Sequence, residues 1–301
     1  MTQQRTMWLV QALFVTFLWS ASKIIMKLGL GLVSPLMLIG SIQAVSFLAV
    51  LIYYLAKRPK LRWDFKPSEI QALVLAGVIG YAAAPLFAIV GLKYVTGTTA
   101  GLFAGLSSAL VMILGAVILK ERPRVQQLMG VMLAGIGAYI FLGGGGASGS
   151  LFGMLMLFIS EASYALNTVM TRFVVRKPGD ETLSTSLVTN GIGAVILLPL
   201  GLLSGGNVAV LGQWQVVLSI LVVGAIFGFA GMMWSACLDK LQALEAAILQ
   251  NTMLIQIAIL SIMFLGEQLT LHNVLGGIGV IIGAYLVDHQ IKSFKVNLSV
   301  A

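Results

Sequence analysis

The chain has 301 residues, 59% of them hydrophobic and only 9% charged, against roughly 25% charge in an ordinary soluble domain. So little charge cannot clothe a soluble body of this length, and much of its surface must face lipid. One cysteine, Cys237, excludes an internal disulfide, two histidines leave no metal-ligating cluster, and a net charge of +8 fits basic loops beside a membrane rather than a nucleic-acid surface.

Ten apolar segments follow in chain order, each close to the roughly 20 residues that cross about 30 Å of hydrocarbon. They are predicted at Trp8 to Leu28, Pro35 to Ala56, Ile70 to Leu92, Thr98 to Leu119 and Gln127 to Leu142. After a glycine-serine run, Gly143 to Ser150, come Leu151 to Val174, Leu183 to Leu203, Trp214 to Leu238, Ala243 to Leu265 and Asn273 to Val287. The first segment follows Arg5, with Ser20-Ala21-Ser22 as a weak cleavage match, yet its apolar run is long for a secretory signal. It is read as a retained helix. The fold class is therefore an all-α polytopic membrane protein of ten spans.

The chain also contains one of its own stretches twice. Gly91 to Tyr139 matches Cys237 to Tyr285 without a gap at an offset of 146, pairing Leu92 with Leu238, Ala100 with Ala246, Glu121 with Glu267, and Gly137-Ala138-Tyr139 with Gly283-Ala284-Tyr285. A fixed offset signals a structural repeat. Residues 1–146 form the first unit, with five helices, and 147–301 the second.

Basic residues orient the helices. With the N-terminus in the cytoplasm and alternate loops inside, all of the 18 lysines and arginines except Lys23, Lys27 and Lys93 fall on the inner side. Both termini are then cytoplasmic, in the cytoplasmic (inner) membrane. Five helices is an odd number, so the second unit crosses in the opposite sense to the first. Inverted repeats of this kind recur in secondary transporters, with the substrate site between the halves near the midplane.

The stretch Gly91-Leu92-Lys93-Tyr94 through Leu119-Lys120-Glu121-Arg122 to Gly130-Val131-Met132-Leu133-Ala134-Gly135, its second copy, and the opening Phe17-Leu18-Trp19-Ser20 resemble the EamA domain of the drug/metabolite transporter superfamily. The resemblance spans nearly the whole chain as two copies. It implies ten helices around a central cavity and export of amino acids, other metabolites or drugs.

Polar groups inside hydrocarbon need a reason. Thr16, Ser20, Lys23 and Lys27 share one face of the first helix, and Glu161, Tyr164, Thr168 and Arg172 share one face of the sixth, its counterpart. Glu161 lies ten residues into its segment, about 15 Å at helical rise and so near the midplane. It is tolerable there either protonated or paired with a cation such as Lys23. It is accordingly the candidate site for a coupling proton or a substrate ammonium. An ion pair of purely structural use is the plainer alternative, as is snorkelling for Lys27 and Arg172. Trp19, Tyr81, Trp234, Gln43, Asn190, Gln250, Asn251 and Gln256 are further in-segment candidates, and Trp19, Trp234 and Asn251 lie on helices that by resemblance line the cavity.

Glu121 and Glu267 sit at helix turns, where a carboxylate caps free N–H groups, and are read as structural. Gly97, Gly101 and Gly105, Gly224 with Gly228, and Gly279 with Gly283 have the spacing of close helix packing. The formal G-x-G-x-x-G at Gly144 to Gly149 follows a membrane helix rather than a strand and reads as a linker, and no phosphate loop of the Walker type is present. Two function classes remain. The first is a secondary transporter of small molecules, with a proton gradient as its candidate energy source and no cofactor or metal needed. The second is an intramembrane enzyme, or the membrane partner of a lipid-modifying system, which would need clustered acid-base groups beyond the single central carboxylate. The expectation is a transporter and not an enzyme.

Overall fold

A computed structural model describes residues 3–30, 32–57, 65–118, 120, 125–141, 149–174, 181–204, 212–241, 243–266, 271–272, 274–279 and 282–283. Glu121 and Glu267 lie outside the described residues, and Asn251 belongs to a described helix whose side chain at that position is not described. The helices are α1 (Gln3–Gly29), α2 (Pro35–Lys57), α3 (Pro67–Tyr94), α4 (Gly97–Ile118) and α5 (Val125–Phe141), then α6 (Leu151–Val174), α7 (Glu181–Leu203), α8 (Trp214–Lys240) and α9 (Ala243–Leu265). Parts of the expected tenth segment, 274–279 and 282–283, are helical. Among the described residues, six helices are long and apolar enough to cross a membrane, and Leu128–Ile140 and Thr252–Leu265 are shorter apolar stretches.

Local chemistry sets the helix starts. The Ser34 hydroxyl accepts the Met37 N–H at 3.4 Å, the Thr96 hydroxyl the Thr99 N–H at 3.2 Å and the Ser150 hydroxyl the Gly153 N–H at 3.1 Å, satisfying donors that a helix start leaves unpaired. At α3 the side chain of Glu69 reaches back to accept the Lys66 N–H at 2.9 Å. In the middle of α3, Ala76–Ala83 is a π-helix, and the Ala84 N–H bonds the Ile79 carbonyl five residues back. Pro85 follows at once and has no N–H to offer the Tyr81 carbonyl. The third segment is therefore longer than expected and interrupted.

The direction in which neighbours meet is legible from the contacts. Along α2 and α7 the partners run in opposite order: a β-carbon on Gly40 would stand 2.5 Å from the Leu197 carbonyl, and one on Gly201 would stand 2.8 Å from that of Leu36. These helices are antiparallel. Along α2 and α8 they run in the same order, Gly224 against Ile42 and Gly228 against Ser46. Glycines at these crossings let backbones touch, which is how helices gain packing in lipid. Helix α1 lies antiparallel to α8, with Trp8 at Cys237 and Gln11 at Met233, and parallel to α9, with Thr16 at Thr252 and Ser20 at Gln256.

Written with helix numbers shifted by five, the arrangement maps onto itself. The α1–α8 contact corresponds to α6–α3, α1–α9 to α6–α4, and α2–α8 to α7–α3, while α2–α7 and α4–α9 correspond to themselves. Those are the extensive contacts, and each joins a helix of the first half to one of the second. The largest buried cluster, around Met37, Leu38, Ile39, Ile42, Leu197 and Val223, draws accordingly on both halves.

Candidate functional site

A cavity lies where the two halves face one another, with about 950 Å³ of space not filled by atoms, counting the part open to solvent. Of the residues singled out in the sequence, Trp19, Lys23, Gln43, Tyr81, Glu161, Tyr164, Thr168, Asn190, Trp234 and Gln250 line it. In its lining the Lys23 ammonium of α1 stands 3.7 Å from a carboxylate oxygen of Glu161 on α6. The Glu161 side chain is 8% exposed and that of Lys23 26%. The pair therefore joins equivalent helices of the two halves inside low-dielectric surroundings, where either charge alone would be costly. The indoles of Trp19 and Trp234 pack beside it with centroids 5.1 Å apart and planes tilted by 58°, and their faces and edges offer an apolar wall.

The remaining candidates do other things. Ser20 is turned away from the cavity into a seam between α1 and α9: its hydroxyl donates to Gln256 Oε1 at 2.9 Å, and Gln256 Nε2 donates to Thr16 Oγ1 at 3.2 Å. Lys27 donates to the Val95 carbonyl at 3.2 Å, at the turn between α3 and α4. The side chain of Arg172 is outside the described residues. Between α2 and α7, Asn190 Oδ1 accepts from Ser46 Oγ at 2.7 Å and from Gln43 Nε2 at 3.3 Å, while Asn190 Nδ2 donates to the Ser186 carbonyl at 3.0 Å. This buried amide holds the two helices together as well as facing the cavity.

Eight lining residues were not singled out, among them Gly80, Pro85, Ala104, Ser107, Asn167 and Gly231. Phe227 and Met253 join them as apolar wall. The sequence did carry a signal for most of these. At the offset of 146, Tyr81 pairs with Phe227, Pro85 with Gly231, Ala104 with Gln250 and Ser107 with Met253, and both members of every pair face the cavity. The two walls thus use the same positions with different chemistry. Such a chamber, mostly aromatic and apolar with one charge pair and a few amides and hydroxyls, suits a small molecule carrying both polar and apolar parts. Gln250 Oε1, a lining acceptor, has no protein partner.

Known proteins agree with this picture of the fold. The family described as the EamA-like transporter family matches residues 6–143 and again 151–287. An uncharacterized transporter of Archaeoglobus fulgidus is 27% identical over 287 residues, covering 93% of this chain and 98% of that protein. The uncharacterized transporter YyaM of Bacillus subtilis is 27% identical over 242 residues, covering 74% of this chain and 75% of its own. A solved crystal structure superposes with a TM-score of 0.69 over 93% of this chain and 97% of its own, at 19% identity. With two matches that together span most of its length, the chain belongs to the EamA-like transporter family.

Proposed function

We propose that this protein is a secondary transporter of the cytoplasmic membrane that exports small amphipathic or zwitterionic metabolites through the central cavity by alternating access. In this reading residues 1–146 and 147–301 are inverted five-helix repeats making ten spans, with both termini cytoplasmic. The antiparallel meeting of α2 with its counterpart α7 supports the inversion, because equivalent helices that cross in opposite senses must run head to tail.

The observation that carries the proposal is the Lys23–Glu161 pair, set among aromatic rings at the meeting of the halves. A charge pair held only for structure has no need of a chamber beside it. Glu161 takes either a proton or a substrate ammonium, and Lys23 takes the negative group of a substrate once Glu161 is engaged. Trp19, Trp234, Tyr81, Tyr164 and Phe227 receive the apolar part, and Thr168, Asn190 and Gln250 orient it. Rocking of one half against the other then exposes the chamber to alternate sides.

The test is flux in sealed liposomes with an imposed pH gradient, using amino acids and cationic dyes as the panel. Gradient-driven flux in the wild type and its loss in Glu161→Gln is the expected result. Flux indifferent to both the gradient and the mutation would leave a facilitator in which the ion pair serves structure alone.

A further inference from the structure

We propose that a furrow between α2 and α7 seats one acyl chain of an anionic phospholipid, with the lipid's phosphate at the Lys57 end of α2. The furrow holds about 1010 Å³ of space not filled by atoms, counting the part open to its surroundings, and shares no lining residue with the central cavity. On α2 it is lined by Phe47, Leu51 and Tyr54, four and three residues apart and so on one face. On α7 the pairs Leu187-Val188, Gly191-Ile192 and Val195-Ile196 recur every four residues and form the other wall, about 14 Å long at helical rise. Tyr54 alone among these carries a polar side-chain atom.

Both walls belong to helices long and apolar enough to cross a membrane, and Val195 on the rim is 75% exposed. What fills the furrow is therefore apolar, either a lipid chain or another protein surface. Its width selects between them. Helices α2 and α7 touch: a β-carbon on Gly40 or Gly201 would meet the backbone opposite, and one on Gly191 would stand 3.3 Å from the Phe47 ring. Helices in contact lie about 8–10 Å apart. The depression between them admits one hydrocarbon chain but not a second helix, which is about 10–12 Å across with its side chains.

Charge names the class of lipid. Helix α2 ends at Lys57, exposed and one turn beyond Tyr54. The chain enters α3 at Lys66, also exposed, directly after Phe65, and Phe65 packs on the same pair, Ala72 and Leu73, as Val188 of the furrow wall. In sequence, residues 57–66 and 172–181, which join helices at this end, hold eight basic residues against Asp64, Asp180 and Glu181. The stretches that join helices at the other end of α2 and α7, 30–34 and 204–213, hold no charged residue. Lysines and arginines just outside a span attract the phosphates of anionic lipids, so a chain lying in the furrow has its headgroup held at one end only. The site depends neither on the direction of transport nor on the substrate.

Phosphatidylglycerol bearing a diazirine in mid-chain, photolysed in vesicles that hold the purified full-length protein, tests the assignment. Crosslinks should concentrate in the peptides carrying residues 47–54 and 187–196, and unlabelled phosphatidylglycerol should compete at least about tenfold better than phosphatidylcholine with the same chains. Labelling there no greater than on the exposed face of α5, at Met132 and Ile136, would overturn the site, and equal competition by the two lipids would overturn its charge selectivity. Val195→Phe, which fills the open rim, should abolish the crosslinks. Lys57→Gln combined with Lys66→Gln should remove the preference for phosphatidylglycerol while chain labelling persists, and a preference that survived both changes would refute the placing of the phosphate. A furrow found buried between two copies of the chain, with lipid excluded, would assign it to a dimer and sink the proposal.

Discussion

Helices α1 and α6 occupy equivalent places in the two halves, and both pack on their neighbours through apolar clusters, Ile24 against Met253, Ile257 and Leu260 in the first case, but hydrogen bonds between side chains are added at α1. Helix α1 is joined to α9 by hydroxyls and an amide, through Thr16, Ser20, Thr252 and Gln256. Helix α6 meets α4 through an apolar cluster, Val111 against Ala165 and Val169, flanked by Leu110, Leu114 and Met170. A polar seam in hydrocarbon is directional and breaks as discrete bonds, whereas apolar packing is non-directional. Corresponding places in the two halves therefore carry one interface with a hydrogen-bonded seam and one marked by its apolar cluster. The shared shape is set by small and apolar residues at paired positions, and the difference between the halves is set by where polar atoms have been placed.

The greatest expected effect falls on the bond between these two helices. Glu161→Ala leaves the Lys23 ammonium unpaired in the interior, and removing one partner of a buried pair costs about 3–5 kcal/mol. Thermal unfolding in detergent should show that loss. The double variant Lys23→Met with Glu161→Gln should recover most of the stability while flux stays absent, which separates folding from transport. A double variant that remained as unstable as the single one would show that the pair is needed to assemble the two halves.

A smaller effect sharpens the contrast between the hydrogen-bonded seam and the apolar cluster. Gln256→Ala removes bonds to Ser20 and Thr16, and in-membrane bonds of this kind average roughly 0.6 kcal/mol, up to about 1.7. Stability should fall by about 1 kcal/mol, and exchange of the α1 amides should quicken relative to those of α6. Equal quickening in both helices would mean that the seam does not distinguish them. The mildest change is Tyr81→Phe, which gives the first wall the residue that its counterpart, Phe227, already supplies. Unfolding temperature should hold, and any change in flux reports on the hydroxyl alone.

Much of this is legible in the sequence. Long apolar runs set the helices, and α9 spans Ala243–Leu265 as the run itself does. The meeting of Lys23 and Glu161 followed from placing two polar faces on equivalent helices. What sequence spacing could not resolve was how one face divides between two neighbours. Thr16, Ser20 and Lys23 share a stripe, yet a stripe on a helix is wide enough to address two partners, so Lys23 reaches the cavity while Ser20 turns to α9. The interruption of α3 was missed for another reason: Pro85 was visible, but whether a proline kinks, breaks or shifts a helix into π geometry depends on neighbours able to accommodate the freed carbonyl. Here Gly193 allows it, since a β-carbon there would stand 2.5 Å from the Tyr81 oxygen.

The helix contacts that cross between the halves have a consequence for assembly. Among the described residues, neither α1–α5 nor α6–α9 wraps a core of its own, because the extensive contacts of each are made with the other. In the language of quaternary structure the chain is a tethered heterodimer, whose interface and hydrophobic core are the same object. Severed between α5 and α6 and synthesised as two polypeptides, it should recover its shape only when both fragments reach the same bilayer, each serving as the other's template.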